Sequence, residues 1–274
     1  MPPEDFAANP ASAAESAPRP ARGAAIVTGG RRGIGAATAM ALAANGFSVA
    51  IVDLEEDRSA AATLAAIRAR GGRGLFIRSD ISDLEGHDEI VARTTREYGP
   101  VTCLVNNAGL QVPVRGDLLD TTPEIFDRLL ATNLRGTFFL TLAVARAMIS
   151  RPAPASYRSI IIVSSANAAL VSPEKAAYCI SKSALPMLAK LFATRLAAHE
   201  IDVFEIQPGL IRTDMTEPVR AAYGQAIDAG LSPYRRWGEA AEVGAVISTL
   251  ASGLLPFSTG TMVPVGGGLH IHRL

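Results

Sequence analysis

The sequence predicts a three-layer α/β fold, a parallel β-sheet covered by helices on both faces. Two observations carry that expectation. From Gly23 onward, short apolar runs rich in Val and Ile alternate with longer stretches of helical pattern. Continuous apolar runs are the signature of strands buried on both faces, as in parallel sheets. The second observation is that the first run leads into a glycine-rich turn, Thr28-Gly29-Gly30-Arg31-Arg32-Gly33-Ile34-Gly35, that opens a helix. Right-handed crossovers between parallel strands then make the sheet doubly wound, a Rossmann-type arrangement.

In chain order, strands are expected at residues 24–28, 48–52, 74–78, 102–106, 159–164, 202–206 and 261–265, which makes the sheet seven-stranded. Helices are expected between them at 34–45, 58–70, 87–98, 123–149, 174–199 and 240–251, where apolar residues recur at spacings of three and four. With 274 residues, 49% hydrophobic and 19% charged, residues 23–274 suffice for a single domain around one large core. Residues 1–22 are rich in Ala and Pro, with Pro2, Pro3, Pro10, Pro18 and Pro20 breaking any helix, and are read as a disordered tail.

Several function classes are excluded early. Net charge is zero and the basic residues are dispersed, which leaves no nucleic-acid footprint. No window approaches the ~18 apolar residues of a membrane span. Glu4 and Asp5 stand where a secretory signal would carry bases. Cys103 and Cys179 lie far apart and away from other metal-ligand types, so neither a disulfide nor a metal site is expected and a reducing cytoplasm is the reading.

The glycine turn points to a dinucleotide. Glycines permit a tight turn and let backbone N–H groups approach a pyrophosphate at a positively polarised helix N-terminus. Asp53, at the end of the second strand, stands where a ribose diol would lie. Tyr178 and Lys182 are four residues apart, which puts both on one helix face, in a chain with three lysines against 23 arginines. A phenol beside an ammonium is an acid/base pair. Lowering its pKa from about 10 to near 7 takes roughly 4 kcal/mol, which a unit charge at ~4 Å and an effective dielectric of 20 supplies.

The series Thr28-Gly29-x-x-x-Gly33-x-Gly35, Asn106-Asn107-Ala108-Gly109, Asn133, Ser165, Tyr178-x-x-x-Lys182 and Pro208-Gly209 resembles the motifs of the short-chain dehydrogenase/reductase family, in its single-domain branch, over about residues 23–268. The resemblance implies a nicotinamide cofactor and carbonyl/alcohol interconversion. By that analogy Ser165 orients the substrate carbonyl, Tyr178 donates or accepts the proton, Lys182 lowers the tyrosine pKa and binds the nicotinamide ribose, and Asn133 holds a water in a proton relay. Thr28, Gly29, Arg31, Arg32, Gly33, Ile34 and Gly35 would surround the pyrophosphate, and Asp80 and Ile81 the adenine. Asn107, Ala108 and Gly109 would let the cofactor pass, while Pro208, Gly209, Ile211 and Thr213 would meet the carboxamide. Ser164 is read as closing its strand, and Cys179 as a packed side chain.

Asp53 would repel a 2′-phosphate by several kcal/mol at ~5 Å and dielectric 20, which favours NAD, although Arg31 and Arg32 admit NADP. Residues 214–238 resemble a substrate lid, and residues 110–114 and 167–171 would form the other walls of a mostly apolar pocket. The texture is closest to bacterial 3-oxoacyl-acyl-carrier-protein reductases, with sugars, polyols and cyclic alcohols as alternative substrates. The sequence places no basic patch for docking acyl carrier protein. The long apolar helices 123–149 and 174–199 imply an isologous contact and, with the C-terminal tail, a homotetramer. A nucleotide-sugar epimerase would want a longer C-terminal substrate domain. A non-catalytic cofactor sensor would lack Ser, Tyr or Lys, and none is missing.

Overall fold

Strand β1, Ala24–Thr28, is buried along its whole length and is an inner strand of the sheet. The computed structural model describes residues 22–150 and 156–272, so the tail expected at 1–22 lies outside the described residues except for Arg22. After β1 come α1 (Gly33–Ala44), β2 (Ser48–Asp53), α2 (Arg58–Ala69), β3 (Arg73–Arg78), α3 (His87–Tyr98) and β4 (Val101–Asn106). The chain continues through α4 (Pro123–Leu130), α5 (Thr137–Ser150), β5 (Arg158–Val163), α6 (Ala176–Ser183), α7 (Leu185–Leu196) and β6 (Ile201–Pro208). It closes with β7 (Ile211–Arg212), α8 (Arg220–Asp228), β8 (Gly238–Glu239), α9 (Ala240–Leu250) and β9 (Met262–Val265).

The seven-stranded sheet has the order β3-β2-β1-β4-β5-β6-β9, and every pairing in it is parallel. The order reverses between β1 and β4, so the loops at their carboxyl ends diverge and leave a crevice, where ligands of open α/β sheets bind. Strand alternation sorts the core into two layers. Ala25, Val27, Val49, Ile51, Cys103 and Val105 face α1, α2 and α9. Ile26, Ala50, Val52 and Leu104 face the layer built by α3, α5 and α7 through Ile90, Leu140, Val144, Leu188 and Phe192. Helices α1 and α9 pack so closely that a Cβ on Gly244 would lie 2.8 Å from the Ala37 carbonyl.

Side-chain caps set some helix starts. Asp57 caps α2 by accepting from the Ser59 and Ala60 amides, and Thr122 caps α4 ahead of Pro123. Helix α1, like α3, α6, α7 and α8, has no side-chain cap, and Arg32 occupies its cap position.

Two long helices expected from the sequence are broken. The one expected over 123–149 passes through a π-helical segment, Ala131–Gly136. Gly136 packs against β3's following loop, where a Cβ would lie 2.3 Å from the Ile81 carbonyl oxygen. Such segments favour functional sites because they re-aim a side chain, here Asn133. The one expected over 174–199 begins with a single turn, Pro173–Lys175, and divides into α6 and α7 at Ala184, because Pro186 has no N–H to continue the ladder. The short β7–β8 pair is an addition that the apolar pattern did not show.

Candidate active site

The glycine turn is shaped by contacts that exclude side chains. Gly29 and Gly33 have φ of 63° and 56°. A Cβ on Gly29 would sit 2.9 Å from the Ala108 Cα, and one on Gly35 would sit 2.0 Å from the Gly29 oxygen. Thr28 is wholly buried, and its hydroxyl accepts from the Asn107 and Ala108 amides at 3.0 Å each. Asn107 donates in turn to the Thr28 and Gly29 carbonyls at 3.0 and 3.1 Å. These bonds pin the ends of β1 and β4 together, so Thr28 shapes the crevice and does not reach into it.

A cleft of about 290 Å³ opens from this turn, lined by Gly29, Arg31, Arg32, Asp53, Asp80, Ile81, Asn107, Ala108 and Gly109 among others. Asp53 accepts from the Arg31 and Leu54 amides at 3.2 and 2.9 Å, and its carboxylate lies 3.3 Å from the Arg31 guanidinium. Arg31 is also paired with Glu55 at 2.9 Å and with Asp57. Arg32, more exposed, pairs with Asp214 at 3.1 Å. Asp80 accepts from the Ser82 amide and hydroxyl at 2.8 and 2.7 Å, so it caps its own turn while lining the cleft.

Across the crevice lies a second cavity of about 130 Å³, lined by Ser165, Tyr178, Lys182, Ile34, Asn107, Pro208, Gly209, Ile211 and Thr213 among others. Asn107 lines both cavities, which makes them adjacent. Ser165 lies two residues beyond the end of β5, and its hydroxyl accepts from the Asn167 amide at 3.1 Å. Tyr178 is buried against Leu129 and Ala177. Lys182 donates to the Val163 carbonyl at 3.0 Å. Asn133 accepts from the Leu110 amide at 2.7 Å and donates to the Leu110 carbonyl and the Ser181 hydroxyl at 2.9 Å each. A Cβ on Gly109 would sit 3.3 Å from both the Asn133 oxygen and the Lys182 ammonium, so the three converge on one spot. Ser164 points the other way, to Glu205 and the Ile206 carbonyl, as its strand position requires.

The electrostatics differ from the expectation. Burial pushes the Tyr178 phenol above its usual value; the Ser165 hydrogen bond pulls it back, Cys179 raises it further, and the Arg115 guanidinium lowers it. Burial pushes the Lys182 pKa down to about 8, and its ammonium donates to the Val163 carbonyl. Desolvation opposes both charged forms of the pair at once.

The pocket also departs from the apolar enclosure expected. Gln111 and Asn167 line it from the predicted walls and Met215, Thr216, Val219 and Tyr223 from the lid, but Val114 and Val171 are exposed. Two cations absent from the sequence reading, Arg115 and Lys175, also line it. Lys175 carried a signal, as one of three lysines and three positions before Tyr178. Arg115, in a loop, carried none. Among the described residues, no helix is long and apolar enough to cross a membrane and no metal-binding group of side chains occurs.

The fold is that of a dinucleotide-dependent oxidoreductase, and it brings Ser165, Tyr178 and Lys182 together in the lining of one cavity. The family model described as enoyl-(acyl carrier protein) reductase matches residues 29–270. Versicolorin reductase 1 of Aspergillus parasiticus is 34% identical over 89% of this chain and 95% of its own length. A crystal structure of 3-oxoacyl-[acyl-carrier protein] reductase from Brucella melitensis in complex with NAD is 45% identical, with a TM-score of 0.89, over 92% of this chain and 99% of that one. A candidate 2-deoxy-D-gluconate 3-dehydrogenase from Agrobacterium tumefaciens with bound NADP is 28% identical, with a TM-score of 0.82, over 92% of this chain and 97% of that one. The chain belongs to the short-chain dehydrogenase/reductase family and is an NAD(P)-dependent oxidoreductase acting on secondary alcohols and ketones.

Proposed function

We propose that this enzyme uses NAD and interconverts a ketone and a secondary alcohol with Tyr178 as the general acid/base. The bound cofactor supplies or takes up the hydride. Ser165 orients the carbonyl oxygen, Tyr178 delivers the proton to it, and Lys182 and Asn133 flank Gly109 on the cofactor side of the phenol. The residues present suit a dinucleotide: the glycine turn and the uncapped end of α1 border a cleft of about 290 Å³ lined by Gly29, Arg31, Asp53 and Ala108 among others. Gly33, Ile34, Ala108, Pro208, Gly209, Ile211 and Thr213 would complete the cofactor cradle, with Asp80 and Ile81 at the adenine.

The observation that carries the NAD preference is the Arg31 cluster. Asp53 stands at the ribose end, and the guanidinium paired with it, Arg31, is also held by Glu55 and Asp57. A 2′-phosphate would meet that surplus of carboxylates. The Brucella neighbour supports a 3-oxoacyl thioester as substrate, and the Agrobacterium neighbour supports the second reading, a sugar, polyol or cyclic alcohol. Pure protein offered acetoacetyl thioesters, keto sugars and cyclic ketones is expected to oxidise NADH with kcat/KM at least about tenfold above NADPH, a difference of 1.4 kcal/mol. Equal rates with NADPH would refute the cofactor assignment.

A homotetramer in the cytoplasm is the accompanying proposal. Phe138 and Phe139 on α5 and Met187 and Leu191 on α7 are exposed, which supports an isologous four-helix contact. Leu254, Phe257 and Ile271 add exposed apolar surface near the C-terminus. Sedimentation at micromolar concentration is expected to show four-chain particles; a monomer would rule this assembly out. Cys103 and Cys179, both free thiols, support a reducing compartment.

A further inference from the structure

Lys175 is 7% exposed and lines the substrate cavity, yet among the described residues its ammonium makes no hydrogen bond or ion pair. The ammonium lies over the face of the Tyr178 ring, 5.7 Å from its centroid. Arg115 lines the same cavity, with its guanidinium 3.3 Å from Glu174 and 3.4 Å from the Tyr223 hydroxyl. Glu174 is the only carboxylate paired with either cation among the described residues, and its oxygen is shared between Arg115 and the Ser172 hydroxyl, which donates to it at 2.7 Å. Burial holds the Lys175 ammonium below its usual value, with Tyr223 opposing and Arg115 adding to that pull.

Two cations facing one carboxylate in a half-closed cavity leave a positive charge uncompensated. A buried cation without a partner is costly and sheds its proton unless an anion completes the site. We infer that Lys175, with Arg115 beside it, forms an anion subsite that takes the carboxylate of an oxo or hydroxy acid, next to the carbonyl that Tyr178 protonates. A thioester would place a neutral sulfur there and leave Lys175 unpaired. A phosphate at the far end of a long acyl carrier would not reach a cation packed against the Tyr178 ring. The substrate is therefore a short-chain or polyhydroxylated acid with its carboxylate close to the reacting carbon. This deepens the ketone/alcohol reading, rests on it, and sets the 3-oxoacyl thioester aside as the substrate.

The test measures binding without turnover. Calorimetry on the wild-type tetramer or monomer saturated with NAD, in which a ketone cannot be reduced, compares acetoacetate with its methyl ester, and 5-ketogluconate with fructose. At least one acid is expected to bind about tenfold tighter than its neutral counterpart. In Lys175→Met the two should bind within twofold of each other, with the neutral ligand's affinity unchanged, and Lys175→Arg should keep most of the discrimination. Neutral ligands binding as well as both acids, neither acid binding, or discrimination surviving in Lys175→Met would overturn the subsite. The oxidoreductase reading fails separately, through NADH oxidation that does not depend on Tyr178.

Discussion

Tyr178→Phe is expected to lower kcat by about two to four orders of magnitude, the range that a positioned acid/base contributes. The ring is buried, so the substitution keeps the packing against Leu129 and Ala177 and removes only the hydroxyl. Losing its hydrogen bond with Ser165 should cost stability on the order of 1 kcal/mol, so melting temperature should change little. NADH affinity should persist, since the glycine turn and Asp53 are untouched. Burial already holds the phenol in its protonated form, which suits proton donation during ketone reduction. Oxidation of the alcohol needs tyrosinate, so its rate should climb with pH more steeply than reduction does. Full turnover in the Phe variant would mean that another group moves the proton.

Gly35→Ala should disable the protein by a different route. The added carbon would lie 2.0 Å from the Gly29 oxygen and 2.7 Å from the Asn107 amide nitrogen. Neither is the free end of a flexible side chain. Gly29 is backbone in a left-handed turn, and Asn107 is bonded to both Thr28 and Gly29. The turn must move, which opens the β1–β4 crevice that the cofactor occupies. Overpacking of this kind costs roughly 1–3 kcal/mol, or several degrees of melting temperature in a chain of this size. NADH affinity should fall by about tenfold or more, read by fluorescence titration. Gly116→Ala is the control: nothing lies within 4 Å of its added carbon, and no change is expected. Unaltered NADH binding by Gly35→Ala would show that the turn tolerates displacement.

The sheet was legible because burial on both faces writes strands as unbroken apolar runs, and helix α3 because its acids, apolar stripe and final Gly99 agree on one boundary. The ends of β2, β3 and β4 extend one residue beyond expectation, where polar Asp53 and Arg73 still pair in register. The broken helices were less legible. An apolar periodicity cannot show that Gly136 must yield to the Ile81 carbonyl, since that contact joins residues distant in the chain. The same holds for Arg31. Its sequence neighbours suggest a cation free to meet phosphate, whereas folding surrounds it with Asp53, Glu55 and Asp57.

Residue order alone dictated the layered sheet, the dinucleotide turn and the spacing of Tyr178 and Lys182, because each depends on local periodicity or on a short motif with one conformational solution. Folding alone settled the environment of those residues. Whether Lys182 or Arg115 acts on the phenol, and whether the pocket is apolar or cationic, depends on which side chains from separate loops are buried together. Charge and desolvation act through space, and no linear spacing encodes the distances that govern them.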